Sequence, residues 1–218
     1  MAIEAFPPVE LADENGLLAV GGDLEVESLL LAYQNGIFPW PFIDSDVIPW
    51  FSPPKRGIIF VDSYEVPSSL KKILKSHSYR IEIDTATDRV IEECAKAPNR
   101  KGGRSTWITK DMMKAYKALS KAGYCHSVEC FDGDELVGGL YGVSIKGMFA
   151  GESMFYKVPN ASKLCLYHLL EHVKTRGGEW IDCQQLTPTV AQFGAVEVER
   201  EIFLEMLKKV LSKDARLF

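Results

Sequence analysis

Residues 126–150 leave the chain few choices. Runs 126–131, 136–144 and 147–150 read as strands, joined by the turn pairs Asp132-Gly133 and Lys146-Gly147. Links this short join antiparallel neighbours, because a parallel crossover needs a dozen residues or more. An antiparallel meander is therefore expected at the heart of the fold. Helical patterns surround it. Pro67 suits the first turn of a helix carrying Lys71, Lys72 and Lys75, residues 79–83 alternate as a strand, and Thr85 begins a helix running to about Lys96. Thr109 can cap a helix that bears Met112, Met113, Tyr116 and Leu119 and stops at Gly123. Beyond the meander, a helix opens at Asn160 or Ser162 and ends near Gly177. Residues 180–183 form a short strand, Thr187-Pro188 opens another helix, and residues 201–211 form the last. The expectation for residues 63–218 is an α+β domain with helices around a central, mostly antiparallel sheet.

Residues 1–62 read differently, as a small N-terminal domain rich in Pro, Gly and aromatic side chains. Asp23 is placed to N-cap a helix over residues 24–34, with Gly36 where a C′ residue belongs. The prolines of residues 37–42 and 47–54 forbid helix, so these are extended aromatic segments. Residues 57–61 read as a buried strand.

Composition narrows the function classes. The 218 residues are 46% hydrophobic and 25% charged, as in a soluble globular protein. No run approaches the ~20 apolar residues of a membrane span, and the N-terminus has neither a basic n-region nor an apolar h-region. Five cysteines, with no Cys-x-x-Cys, read as reduced thiols of a cytoplasmic protein. The net charge of −5 hides an asymmetry: residues 1–62 carry ten acids and two bases, residues 63–125 thirteen bases and seven acids. A basic face on an acidic protein is one reading and solvated lysine-rich surfaces the other.

Most motif readings lack a necessary part. His168-x-x-Glu171-His172 puts two histidines on one helix face at zinc-site spacing, but no further His follows it. Neither a nucleotide-binding glycine loop nor a Gly-x-Ser-x-Gly elbow occurs. Glu152, directly after the apolar run 148–150, is expected in or at the mouth of an apolar pocket, or as a strand-end carboxylate bonding a local N–H. Asp182 and Gln184 end a strand on one face, a position that suits ligand binding or loop capping. Phe38, Trp40, Trp50, Phe51 and Trp107 lie near prolines and bases. Such aromatics either stack unpaired nucleotides or fill the core of a small Pro-rich unit.

Together these segments resemble the leucyl/phenylalanyl-tRNA–protein transferase family. The resemblance runs from about Phe6 to about Phe203. It is carried by Phe6-Pro7-Pro8, residues 15–24, Gly36-Ile37-Phe38-Pro39-Trp40, Trp50-Phe51-Ser52-Pro53, Thr106-Trp107-Ile108, residues 123–129, residues 138–142, residues 149–155, Asn160-Ala161-Ser162-Lys163 and Ile181-Asp182-Cys183-Gln184. It implies a larger domain with the GNAT acyltransferase fold and transfer of Leu or Phe, with Met a further candidate, from tRNA to proteins beginning with Arg or Lys, creating an N-terminal degradation signal. It implies that Trp40 and Trp107 hold the terminal adenosine, and that Leu140, Phe149, Glu152, Leu169 and Ile181 form the amino-acid pocket. Asp182 and Gln184 match the pair assigned to the chemistry, and Lys71, Lys72 and Lys75 a basic helix meeting the acceptor stem. The sequence departs from the family after Gln184, with Leu186-Thr187-Pro188-Thr189 and Gln192-Phe193-Gly194, and by Leu at positions 140 and 169.

Aminolysis of an already activated ester needs neither ATP nor a metal, so no cofactor is expected, and the protein is read as a monomer acting without a membrane. The site must present a neutral α-amine, remove its proton and stabilise the oxyanion. A neutral amide such as Gln184 is a very weak base but can orient the amine. Asp182 could fix Gln184, attract the acceptor's first side chain or receive the proton. Two other classes fit less well: an acetyl-CoA-dependent N-acetyltransferase on the same fold, whose pyrophosphate loop is missing, and a non-catalytic tRNA-binding module.

Overall fold

The computed structural model describes residues 2–40, 47–76, 79–97 and 108–218. The first unit contains β1 (Leu17–Val20), α1 (Val26–Gln34), β2 (Phe38–Pro39) and β3 (Pro49–Phe51), its strands forming a small sheet in the order β1-β3-β2. Then follow β4 (Lys55–Phe60), α2 (Ser68–Ser76), β5 (Arg80–Ile83), α3 (Thr87–Lys96), α4 (Lys110–Lys121), β6 (Cys125–Asp132), β7 (Glu135–Ile145) and β8 (Met148–Tyr156). The chain ends with α5 (Ala161–Thr175), β9 (Trp180–Gln184), α6 (Pro188–Ala191), β10 (Val196–Glu199) and α7 (Arg200–Leu211). The class is α+β, and the large sheet has seven strands in the order β10-β4-β9-β8-β7-β6-β5.

The meander forms as its turns require. Gly133 and Lys146 both adopt positive φ, 57° and 54°, the twist that returns a strand onto its neighbour. All neighbouring pairs in the large sheet are antiparallel except β8 with β9, which run parallel and share one ladder pair, Ala150 with Asp182. Period-two alternation divides the side chains between two buried layers. Tyr141, Val143, Ala150 and Trp180 pack with α1, α3, α4 and α7, while Val128, Leu140, Phe149 and Ile181 pack with α2 and α5. Each fully buried Leu, Ile or Phe in these layers contributes about 1.5–3 kcal/mol.

Local capping matches the sequence where one side chain decides it. Thr109 accepts a hydrogen bond from Met112 N at the start of α4, and Thr187 from Val190 N at the start of α6. Gly36 follows α1 at φ 73°. Asp23 does not cap α1 directly. The helix begins at Val26, and Asp23 accepts from Glu25 N and from the Ser28 hydroxyl, bracing the turn one step earlier. Thr85 stands outside α3 and donates to Glu129, which also accepts from Ala86 N at that helix's start. The strand expected over residues 147–150 continues to Tyr156, so Glu152 lies inside β8 rather than at its end. β1 and β10 have no counterpart in the sequence reading; both are short, and their pairing depends on distant partners.

Candidate active site

Two irregularities in the large sheet build the site. Between β7 and β8 the register shifts: Tyr141 faces Ser153 while Gly142 faces Gly151. Glu152 is the extra residue of a β-bulge, a device that re-aims a side chain. Between β4 and β9, Gly57 faces Gln184 while Ile58 faces Asp182, leaving Cys183 as the extra residue. Gln184 adopts φ 60°, a region costly for a residue with a Cβ and common at functional sites.

Past their single ladder pair, β8 and β9 are joined by side chains. The Gln184 amide nitrogen donates to Glu152 Oε1 at 2.8 Å. Glu152 Oε1 also accepts from the Tyr33 hydroxyl of α1 at 2.7 Å, and Oε2 from the Tyr116 hydroxyl of α4 at 2.8 Å. The two hydroxyls lie 2.6 Å apart. These three oxygen–oxygen contacts form a ring that needs three protons, and the tyrosines supply two. A protonated Glu152 supplies the third and closes the ring: its Oε2–H then donates to Tyr116 instead of accepting, Tyr116 donates to Tyr33, and Tyr33 to Oε1. Desolvation pushes the Glu152 carboxyl up to about 7, Asp182 adds to the rise, and the tyrosine hydrogen bonds and Arg56 oppose it. Burial and the nearby carboxyl hold both tyrosines well above 10, so they keep their protons.

Asp182 is anchored separately. It is 2% exposed and takes a two-pronged hydrogen bond from Arg56, Nε to Oδ1 at 2.9 Å and Nη2 to Oδ2 at 2.7 Å. The third guanidinium nitrogen donates to Gly36 O at 3.1 Å, and the guanidinium lies over the rings of Phe38 and Phe203 at 4.6 and 4.5 Å. Asp182 Oδ1 also accepts from Gln184 N at 2.8 Å. Backbone and amide of Gln184 are thus held by two different carboxyl groups. With its nitrogen given to Glu152, the amide leaves its carbonyl oxygen as the acceptor that can meet an amine.

The remaining expected residues fall in three places. Leu140, Phe149, Leu169 and Ile181 pack together at 3% exposure or less, in the layer that faces α5, whereas the Glu152 carboxyl points to the layer of α1 and α4. Met154, two residues beyond Glu152 on β8, packs partly buried against the cluster that contains these four residues. Trp40 sits half-buried beside Phe38 and Phe51, ring centres 6.2 and 6.4 Å away. Lys71, Lys72 and Lys75 are exposed on α2 and form no ion pair among the described residues. Trp107 lies outside the described residues. The zinc-like spacing is otherwise engaged: Glu171 accepts from the Tyr64 hydroxyl, and His172 Nε2 contacts Leu217 O at 2.7 Å.

Sequence reasoning missed Tyr33, Tyr116 and Arg56. The tyrosines read as members of apolar helix faces, yet a buried Tyr hydroxyl needs a partner, and that requirement was the available signal. Arg56 directly precedes the buried-strand run 57–61, and a base entering such a strand demands a buried carboxylate.

Comparison with known proteins places this geometry. The profile described as "Leucyl/phenylalanyl-tRNA protein transferase" matches residues 58–208, and that of the "N-terminal domain" of the same protein matches residues 22–54. A leucyl/phenylalanyl-tRNA–protein transferase of Anaeromyxobacter dehalogenans (strain 2CP-C) is 46% identical, covering 96% of this chain and 89% of its own. That of Syntrophotalea carbinolica is 48% identical over 93% and 87%, and that of Myxococcus xanthus 46% over 98% and 90%. Tyr33 falls in the shorter match, Tyr116, Glu152, Asp182 and Gln184 in the longer, and Arg56 between the two. With both profiles matched in order and relatives of this identity along nearly its whole length, the chain belongs to the leucyl/phenylalanyl-tRNA–protein transferase family.

Proposed function

We propose that this aminoacyltransferase moves Leu or Phe from its tRNA ester to the α-amine of proteins beginning with Arg or Lys, and that Gln184 carries the amine into reaction. The observation that supports this most is the double anchoring of Gln184, through its amide nitrogen to Glu152 and its backbone N–H to Asp182. The acceptor amine donates a hydrogen bond to the Gln184 carbonyl oxygen, which turns the nitrogen lone pair toward the ester carbonyl. Attack forms the new C–N bond, the C–O bond to the ribose breaks, and the amine proton leaves with the ribose oxygen. An α-amino group with a pKa of about 7.7–8.0 is partly neutral near pH 7, so positioning rather than strong-base chemistry is the main requirement. Asp182, fully paired with Arg56, acts as a positioning group.

Leu140, Phe149, Leu169 and Ile181 are proposed to shape the amino-acid pocket, with Glu152, whose carboxyl turns to the other layer, bracing Gln184. Trp40 and Trp107 are proposed to hold the terminal adenosine, and Lys71, Lys72 and Lys75 to meet the acceptor stem. The same proposal treats residues 1–62 and 63–218 as two domains, the first lending β4 to the large sheet of a GNAT-like second. It also places the enzyme in the cytoplasm as a monomer, in keeping with five unpaired cysteines. The test is incubation with labelled Phe-tRNA or Leu-tRNA and a peptide beginning with Arg. Label should pass to the peptide amine, and not to an otherwise identical peptide beginning with Asp. Acetyl transfer from acetyl-CoA, or tRNA binding with no transfer, would contradict the reading.

A further inference from the structure

α4 has two opposite faces of different chemistry. One buries Met112, Ala115, Tyr116 and Leu119, and through Tyr116 completes the ring on Glu152. The other carries Lys110, Lys114, Lys117 and Lys121. At 100° per residue, the spacings of four, three and four place these lysines within about 60° of one another, in a stripe about 16 Å long. Lys110, Lys114 and Lys121 are exposed and make no ion pair among the described residues. Lys117 is tied to Glu92 and Asp88 on α3. The stripe borders a groove of about 920 Å³ between α3 and α4, whose apolar parts include Ala95, Ile108 and Met113 and whose far side carries Lys96. The acids of this region are largely engaged: Glu92 with Lys117, and Glu93 with Lys96 and Lys157. Asp111 is the one acid of α4 itself, and it forms no ion pair among the described residues.

Three unpaired ammonium groups in a row, at the spacing of a rigid helix, suit a regular array of anions. We infer that the outer face of α4 is a second tRNA-contacting surface, meeting the RNA backbone through Lys110, Lys114 and Lys121. This rests on the aminoacyl-tRNA reading above and adds a surface to it. The stripe belongs to the layer opposite α2, so it is distinct from Lys71, Lys72 and Lys75. Because the same helix bears Tyr116 on its inner face, RNA held on the stripe has a fixed position relative to Glu152. The lysines meet phosphates, so binding there does not depend on the amino acid carried.

The test compares wild type with Lys110→Gln/Lys114→Gln/Lys121→Gln, measuring binding of labelled uncharged tRNA across a series of KCl concentrations. The plot of log affinity against log salt should flatten by about 0.9 for each phosphate no longer neutralised, or about two to three in all. The matching triple Lys→Arg variant should keep the wild-type slope. Transfer from an aminoacylated 3′-terminal fragment too short to extend round to the outer face of α4 should be equal in wild type and the Gln variant. A Gln variant with the wild-type slope overturns the surface. Failure of the underlying reading would look different, since the wild type itself would then pass no label from Phe-tRNA to the peptide.

Discussion

At the scale of single residues, the site separates a carboxylate that is fully paired from one whose proton is retained to higher pH. Arg56 and Asp182 are both about 2% exposed, and neither is tolerable alone in that position. Removing one partner leaves an uncompensated buried charge, so Arg56→Ala should lower unfolding free energy by about 3–5 kcal/mol. The double variant Arg56→Ala/Asp182→Ala should cost less than the sum of the two single variants. Urea denaturation of the four proteins checks this, and additivity within about 0.5 kcal/mol would contradict the coupling. Glu152 behaves oppositely. Its folded pKa is raised from 4.5 to about 7, so the folded state binds the extra proton across that interval. This contribution is fully present below the lower value and is lost as pH rises through the upper one. Glu152→Gln should remove that component, so the stability difference between wild type and variant should change between about pH 4.5 and 7 and level off above. A difference that is flat across this window would show that Glu152 titrates as an ordinary carboxylate.

At the scale of elements, the two β-bulges matter more than any helix. The strand pattern itself is legible: residues 126–150 announce the meander, and Asp182 and Gln184 reach the same network because a bulge at Cys183 and the left-handed turn at Gln184 return the second side chain to it. The bulge at Glu152 is not legible, because strict period-two reading has no place for an extra residue and stops the strand at Ala150. The bulge depends on Gly142, whose Cβ position lies 2.3 Å from Ala150 O and 2.5 Å from the Phe149 ring. Gly142→Ala should therefore shift β7 against β8 and move Glu152. The expected result is a loss of about 1–3 kcal/mol in thermal or urea unfolding, with reduced transfer by the protein that remains folded. Unchanged stability would mean that the strand pair yields without strain. Helix starts are easier to read because one side chain decides them. Thr109→Ala, which removes the acceptor for Met112 N, should cost about 1 kcal/mol by the same measurement. A cost near zero would mean that another group takes over the cap.

At the scale of the whole molecule, the site is assembled from both ends of the chain. α1 supplies Tyr33, the segment after it supplies Gly36 O, β4 supplies Arg56, and Glu152, Asp182 and Gln184 come more than ninety residues later. A one-dimensional pattern could identify the late pair by its place at a strand end. It could not show that an early tyrosine braces Glu152 and an early arginine holds Asp182, because those contacts span 119 and 126 residues. The acidic residues 1–62 and the net-basic remainder of the chain are likewise joined by these contacts and by β4 in the large sheet. In the proposed mechanism this long-range frame aims the Gln184 carbonyl oxygen at the acceptor amine. Single-turnover transfer from Phe-tRNA to an Arg-starting peptide by Gln184→Ala tests it most directly, with tRNA affinity measured alongside. The rate should be lower by on the order of a hundredfold, with affinity nearly unchanged. A folded Gln184→Ala enzyme that transfers at the wild-type rate would contradict it.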